Sequence, residues 1–494
     1  MRQKENLEPD KKKGLWGLVD RIEGDKVVWI IVFMLIMISW LAIFSSTSLL
    51  ALETGSDRLS IMKEQAFITA LGLALIWGLY NIQKIGVIRW FSKLGFLLSL
   101  GMLLILVFNL DLGFIRAESI NQARRSLKVF GVQLHVYEVV KVAMVMYLSW
   151  AIHICKKDEE DKTRRKIFPL LYELSRRPHL GFLKEGLWKR AMYIYAPLGL
   201  TILMVARGSN SSAMIIGIVL MAILILGGIN TKEIAALVVI GAVGVGLLLG
   251  IHMLKSENSK SSKVAAQVVA SDGDKQPDNS KNRMATLLGR LTMNTDPTQL
   301  IGLKGQKKQD LLDKISQPNA AKIAVHEGGI LGKGPGGSTQ KYVVPVMFGD
   351  YMYSFLLEEY GLWGGILIII LYVSLLARGS WIARLCDSDF AQIAVGGLTL
   401  LITTQAFLHM YINVDMGPLT GQTLPLVSHG KGAFLSFCVA FGIILSISRM
   451  ANKKIREEEA EAKPLIEKAD DIQASMDVLE SLDVLEDFDD YEKN

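Results

Sequence analysis

The densest chemistry in this 494-residue chain lies in one stretch, AAKIAVHEGGILGKGPGGSTQKYVVPVMFGDYMYSFLLEEYGLWGG (320–365). Its glycines free the backbone to approach a ligand closely, and Lys322, Lys333 and Lys341 flank them. Amides and ammonium groups together suit a phosphate or pyrophosphate. An ordinary solvated basic loop has the same composition. A nucleotide-binding P-loop is excluded, because GKG leads into Pro335 where that motif needs Ser or Thr. Asp350 stands where the stretch turns apolar. A carboxylate at such a boundary is raised in pKa by desolvation and lowered by nearby cations, which suits a general base. An Asp at a helix start is equally an N-cap. Glu358 and Glu359 lie two turns deeper, where ionisable groups face a cavity, a partner cation or a pairing helix.

A second set surrounds Glu138 and Lys141, three residues apart and so on one helix face. They form a structural ion pair or project with Arg125 into a polar groove. The segment NVDMGPLTGQTLPLVSHGKG (413–432) is dense in Gly, Pro, Thr and Ser and too short to be a domain. It must fold back on the helices, lining a groove or satisfying helix ends. His135, His252 and His326 lack metal-ligand spacing, and Cys155, Cys386 and Cys438 have no paired spacing, so no metal site or disulfide framework is expected.

The elements that must position these groups are membrane helices. Hydrophobic residues make up 51% of the chain and charged ones 21%, and the apolar residues come in blocks such as VVWIIVFMLIMISWLAIF (27–44) with no polar face. About 20 helical residues cross roughly 30 Å of hydrocarbon, and the alternation of a membrane β-barrel is missing. The expected fold is all-α and polytopic, with about ten spans: 27–52, 66–82, 92–110, 136–154, 191–206, 211–229, 233–252, 348–378, 388–413 and 430–450. The N-terminus reads as a retained signal-anchor. Lys11, Lys12, Lys13, Arg21 and Lys26, and the basic 155–190 loop, belong on the cytoplasmic side. An even span number then puts both termini inside. Five parts follow: a cytoplasmic segment 1–26, spans 1–7 over 27–252, an extracytoplasmic loop 253–347, spans 8–10 over 348–450, and an acidic cytoplasmic tail 451–494. Within the loop, 253–282 reads as a flexible insertion and 283–347 as ordered. The tail reads as mostly disordered, with a weak helix around Ile472–Leu485. Asp350 thus faces outward.

Taken together, the motifs resemble the SEDS family of polytopic peptidoglycan glycosyltransferases, represented by FtsW, RodA and SpoVE. The family's AKIAIxxGGxxGKG stands here as AKIAVHEGGILGKG, and its lP.a.sDfif…EE.G as VPVMFGDYMYSFLLEEYG. Its N…P.TGq.LPl.S.GG stands as NVDMGPLTGQTLPLVSHGKG, and its GA.RW…QPSE..K as QARRSLKVFGVQLHVYEVVK. The wording around GKGPGGSTQKYVVP and TGQTLPLVS looks closest to the division branch, FtsW, in Bacteroidetes-type form. The chain departs from the pattern at Ser126, His135 to Tyr137, Arg207-Gly208 and Lys431.

The resemblance implies polymerisation of lipid II into glycan strands at the division septum, by an inverting displacement with Asp350 as general base. It implies substrate-binding roles for Arg125, Glu138, Lys141, Lys322, Lys333, Gln340, Lys341, Thr420 and Ser428. It makes no cofactor certain; a divalent cation, Mg or Mn, could accompany the pyrophosphate. The implied partners are lipid II, undecaprenyl-pyrophosphate-linked glycan, a class B penicillin-binding protein and other divisome proteins, and no nucleic acid. The location implied is the bacterial cytoplasmic membrane. An elongation polymerase like RodA, a lipid II flippase and a non-catalytic divisome scaffold are the alternatives. A flippase predicts charges lining both leaflets, whereas a scaffold tolerates loss of Asp350.

Overall fold

The computed structural model describes residues 23–47, 58–108, 110, 115–120, 123–129, 132–160, 186–244, 306–344, 347–417 and 420–489. The flexible insertion 253–282, Lys11 to Lys13, Arg21 and most of the basic 155–190 loop lie outside the described residues.

Asp25 starts the first helix, α1 (Lys26–Ser46), by accepting from the Val27 and Val28 N–H groups at 2.9 and 3.1 Å. Two further long helices follow, α2 (Arg58–Tyr80) and α3 (Ile85–Phe108). Three antiparallel strands, β1 (Ile115–Ile120), β2 (Ala123–Val129) and β3 (Val132–His135), then lead into α4 (Val136–Glu160). The helix α5 (Gly186–Arg190) runs through a π turn, Ala191–Tyr195, into α6 (Ala196–Ala206). Pro197 sits in the first turn of α6 and has no N–H to give, so the ladder shifts by one residue ahead of it. After Ser209, which caps α7 (Asn210–Leu226), comes α8 (231–244). The remaining helices are α9 (Gln306–Gly328), α10 (Met352–Arg384), α11 (Asp389–Asn413) and α12 (Lys431–Asp489).

Seven of these, α1 to α4 and α10 to α12, are long and apolar enough to cross a membrane. Helices occupy each of the ten apolar segments, so the fold is that of a polytopic helical membrane protein. Burial separates the centre from the rim: the most apolar window of α4 is 78% buried, against 22% for α3. Large side chains left uncovered on the outer helices are Phe67, Trp77, Leu97 and Leu203, the expected dress of a lipid-facing surface.

Two expectations change. The segment 111–135, expected as an outer loop, carries the three-stranded sheet over 115–120, 123–129 and 132–135, with register Ser126 to His135 and Ala117 to Leu127. Only two residues separate successive strands, a hairpin spacing that helical patterning does not reveal. The acidic tail, expected to be mostly disordered, continues α12 to Asp489. Lys453 to Glu457 at 3.6 Å and Lys454 to Glu458 at 3.4 Å are the i,i+4 pairs that support its start.

Candidate active site

Asp350 closes a turn, 347–350, directly ahead of α10. It is not the helix cap: that position belongs to Tyr351, which makes no side-chain capping bond. The capping acceptor comes from another helix. Asn413, at the end of α11, accepts through Oδ1 from the Ser354 N–H at 3.0 Å and from Ser354 Oγ at 3.0 Å. Its Nδ2 donates to the Asp350 carbonyl at 3.0 Å and the His409 carbonyl at 2.9 Å. The two preceding carbonyls are held as well. Ser428 Oγ donates to the Gly349 carbonyl at 2.8 Å, and the His429 N–H donates to the Phe348 carbonyl at 2.9 Å. Three consecutive carbonyls therefore hang from donors on the segment 413–429.

That segment is itself fixed at many points. Ser211 Oγ donates to the Thr420 carbonyl at 3.0 Å, Tyr372 OH to the Pro425 carbonyl at 2.6 Å, and Ser39 Oγ to the Val427 carbonyl at 2.9 Å. Leu426 takes a positive φ of 61° within it. Of Thr420 and Ser428, expected to bind substrate, the first accepts a bond at its main-chain carbonyl and the second gives its hydroxyl to the Gly349 carbonyl. His429 packs its ring edge-on to Phe348 at 5.6 Å and meets Gln65 Oε1 at 3.2 Å through Nδ1. Its pKa is lowered by burial, partly offset by Glu64 and reinforced by Lys431. Lys431, a departure from the family pattern, pairs with Glu64 of α2.

Lys141 and Glu138 form an ion pair at 2.7 Å inside the bundle. Lys141 is 2% exposed, and its Nζ also donates to Gln405 Oε1 at 2.6 Å and Gln422 Oε1 at 2.9 Å. An ammonium has three N–H groups, and these three acceptors use all of them. Breaking such a buried pair by removing one partner costs about 3–5 kcal/mol. The pair is thus a strut between α4, α11 and the 420–430 segment. Arg125 lies in β2, and its side chain is outside the described residues.

The glycine-rich stretch approaches protein rather than open space. α10 is broken at Gly361, with φ 65° and ψ −167°. The carbonyls this frees are met by the loop: the Lys333 N–H donates to the Glu358 carbonyl and the Gly334 N–H to the Glu359 carbonyl, both at 2.9 Å. The Leu362 N–H donates back to the Gly329 carbonyl at 3.0 Å. A Cβ on Gly332 would stand 2.3 Å from the Glu359 carbonyl oxygen, so only glycine fits.

The two buried glutamates clamp the same loop. Glu358 accepts from Lys333 Nζ and the Thr339 N–H at 2.8 Å, from Ser338 Oγ at 2.5 Å, and from the Gln340 N–H at 3.4 Å. Glu359 accepts from Ser45 Oγ at 2.5 Å and lies 3.6 Å from Lys341 Nζ. Lys341, 3% exposed, also donates to the Gly336 carbonyl at 2.8 Å. Lys333 is more open and pairs with Glu327 as well. Partial burial pulls its pKa down, and the bonds to Glu327 and Glu358 outweigh that and raise it. Gln340 donates from Nε2 to Thr339 Oγ1 at 3.4 Å. Lys322, on α9, pairs with Asp415 at 2.7 Å and ties α9 to the end of α11. Beside the Asp350 turn, an apolar groove of about 620 Å³ runs between α10 and α11, from Tyr353 and Val414 down to Ile369.

Residues 25–268 and 305–453 match the FtsW/RodA/SpoVE family, described as cell cycle protein. The chain belongs to that family. It is 36% identical over 155 residues to the peptidoglycan glycosyltransferase MrdB of Escherichia coli K12, covering 29% of this chain and 41% of that protein. It is 24% identical over 438 residues to the probable peptidoglycan glycosyltransferase FtsW of Methylococcus capsulatus, covering 87% and 91%. The stretch shared with MrdB thus spans less than half of that relative. The fold is similar to that of a chain in a peptidoglycan synthase complex whose structure shows coordinated polymerization and crosslinking, with a TM-score of 0.53 at 15% identity, covering 87% of this chain and 98% of that one. Within the family motifs, sequence reasoning passed over Asn413 and His429 as positioning groups. Both stand in the TGQ-containing segment already singled out, so position was available but direction was not.

Proposed function

We propose that this FtsW/RodA/SpoVE family member polymerises lipid II into glycan strands on the outer face of the cytoplasmic membrane, with Asp350 as general base. The observation that carries the reading is the turn 348–350, whose three carbonyls are fixed from outside by Asn413, Ser428 and His429. Such fixing sets a base in place before substrate arrives, and preorganisation of this kind is where enzymes gain rate. Asp350 takes the proton of the acceptor sugar hydroxyl as that oxygen attacks the donor's anomeric carbon. The bond to undecaprenyl pyrophosphate breaks on the opposite side, inverting the centre. Lys322 and Lys333, both partly exposed, exchange their surface pairings with Asp415 and Glu327 for the departing pyrophosphate and neutralise it with Arg125. Lys141 and Lys341 hold the scaffold instead, since their ammonium groups are buried and engaged.

A divalent cation would be held chiefly by the pyrophosphate oxygens and would supply further neutralisation of the leaving group, leaving Asp350 as the base. Among the described residues no group of three or more His, Cys, Asp or Glu could hold a metal alone. The division role, the Bacteroidetes-type affiliation, a class B penicillin-binding protein as partner and two cytoplasmic termini are the finer parts of the proposal. They are supported by the motif wording, by a fold shared with a chain of a synthase complex and by the basic loops. The test is polymerisation of purified lipid II by the reconstituted chain with its cognate transpeptidase. Asp350→Asn is expected to abolish product while leaving the chain folded; full activity in that variant would remove Asp350 from the chemistry.

A further inference from the structure

Where α10 breaks at Gly361, the loop 328–334 is welded to it by three backbone hydrogen bonds, from Lys333, Gly334 and Leu362. A Cβ on Gly361 would come within 2.4 Å of the Gly332 nitrogen and the Ile330 oxygen, so two backbones touch with no side chain between them. The chain turns over between Gly329 (φ 52°) and Gly332 (φ 78°). Ile330 and Leu331 form the apex, and they are 65% and 81% exposed. No charge lies between Glu327 and Lys333, which pair with each other at the base of the tip.

A rigid apex bearing two bare aliphatic side chains is unfavourable in water. Its neighbours show what covers it. Leu362 and Trp363 follow the break directly and are uncovered, and Ile370 continues the uncovered apolar face of α10 two turns further on. That face belongs to a helix long and apolar enough to cross the membrane, so its surroundings are acyl chains. The backbone bonds point the same way. Irregular backbone at membrane depth persists only where protein satisfies each freed carbonyl and amide, and here the loop supplies those partners.

We infer that the Ile330–Leu331 tip is inserted in the bilayer and takes lipid acyl chains as its partner. The inference rests on the chain spanning a membrane and not on the reaction it catalyses. Insertion fixes the depth of the whole loop, and it sets Lys333 and Thr339 just beyond the apolar layer, at the level of lipid head groups.

The experiment places a nitroxide on Leu331→Cys after Cys155, Cys386 and Cys438 have been replaced by Ala. The full chain is reconstituted alone in lipid nanodiscs. Collision of the label with oxygen, which concentrates in the bilayer, is compared with collision with a water-soluble nickel chelate. Ile370→Cys supplies the lipid reference and Lys453→Cys the aqueous one, its side chain being 61% exposed beyond the apolar part of α12. The oxygen-to-nickel ratio at Leu331 is expected to exceed that at Lys453 severalfold and to approach that at Ile370. A ratio nearer to that of Lys453 overturns the inference, including the case in which the tip is reserved for a protein partner absent from the nanodisc. Ile330→Cys gives the same readout should the first variant fail to reconstitute.

Discussion

Replacing Asn413 with Ala removes four hydrogen bonds at once: to the Asp350 and His409 carbonyls, and from the N–H and hydroxyl of Ser354. The hydroxyl keeps an acceptor in the Asn413 carbonyl at 3.0 Å. The Ser354 N–H and the Asp350 carbonyl are left without theirs, at about 1–3 kcal/mol for each stranded group. The turn relaxes rather than leave both bare, so part of that cost becomes displacement of Asp350. A loss of about 2 kcal/mol in transition-state stabilisation is roughly a 30-fold loss in rate, at 1.36 kcal/mol per factor of ten. Asn413→Asp separates positioning from folding. It keeps the acceptor for Ser354 and adds favourable charge at a helix N-terminus, yet it turns a donor into an acceptor facing the Asp350 carbonyl. Its polymerisation rate from purified lipid II should fall as far as that of the Ala variant, with a smaller drop in thermal midpoint. An Asn413→Ala protein within about threefold of the natural rate, about 0.65 kcal/mol, would refute the claim that this amide positions the base.

Other substitutions test the clamps around the site. Gly332→Ala forces a Cβ against the Glu359 carbonyl at φ 78°, and should cost about 2 kcal/mol or more, read as a lowered thermal midpoint together with faster proteolysis between 329 and 343. For His429 the neutral form is favoured in the folded chain. Its stabilising contribution is complete above the unfolded histidine pKa near 6.5 and falls away as pH drops from there toward the lowered folded value. Thermal midpoints of the natural chain should therefore decline below that pH, and His429→Gln should flatten the decline.

Much of the fold was legible because lipid imposes a length and a composition on whatever crosses it, so ten apolar segments marked ten helices. Their ends were not. α2 begins at Arg58, ahead of the apolar core of its span, and carries Glu64, which pairs with Lys431. α3 begins at Ile85 and takes in Arg89, which donates to Ser388 Oγ at 2.8 Å and lies over the Phe390 ring. Charges tolerated by partners some 300 residues away cannot be recognised from local hydropathy. The site divides in the same way. The pairing of Glu138 with Lys141 follows from spacing, whereas Gln405 and Gln422, the other acceptors of Lys141, are more than 260 residues further on. Glycines at 328 to 337 announced a close approach, but the object approached was a broken helix, and Gly361 alone does not announce a break.

The three donors that hold the Asp350 turn lie 63 to 81 residues beyond the carbonyls they bind, so the turn's place is dictated by the α11–α12 connection more than by its own helix. The two connections flanking α9 and α11 should then tolerate length change very differently among related chains. None of the three bonds involves residues 253–305, and insertions or deletions there leave the turn's anchors as they are. Losing a single residue between Asn413 and Ser428 shifts two of the donors against the third, and no rotation of one side chain restores the match.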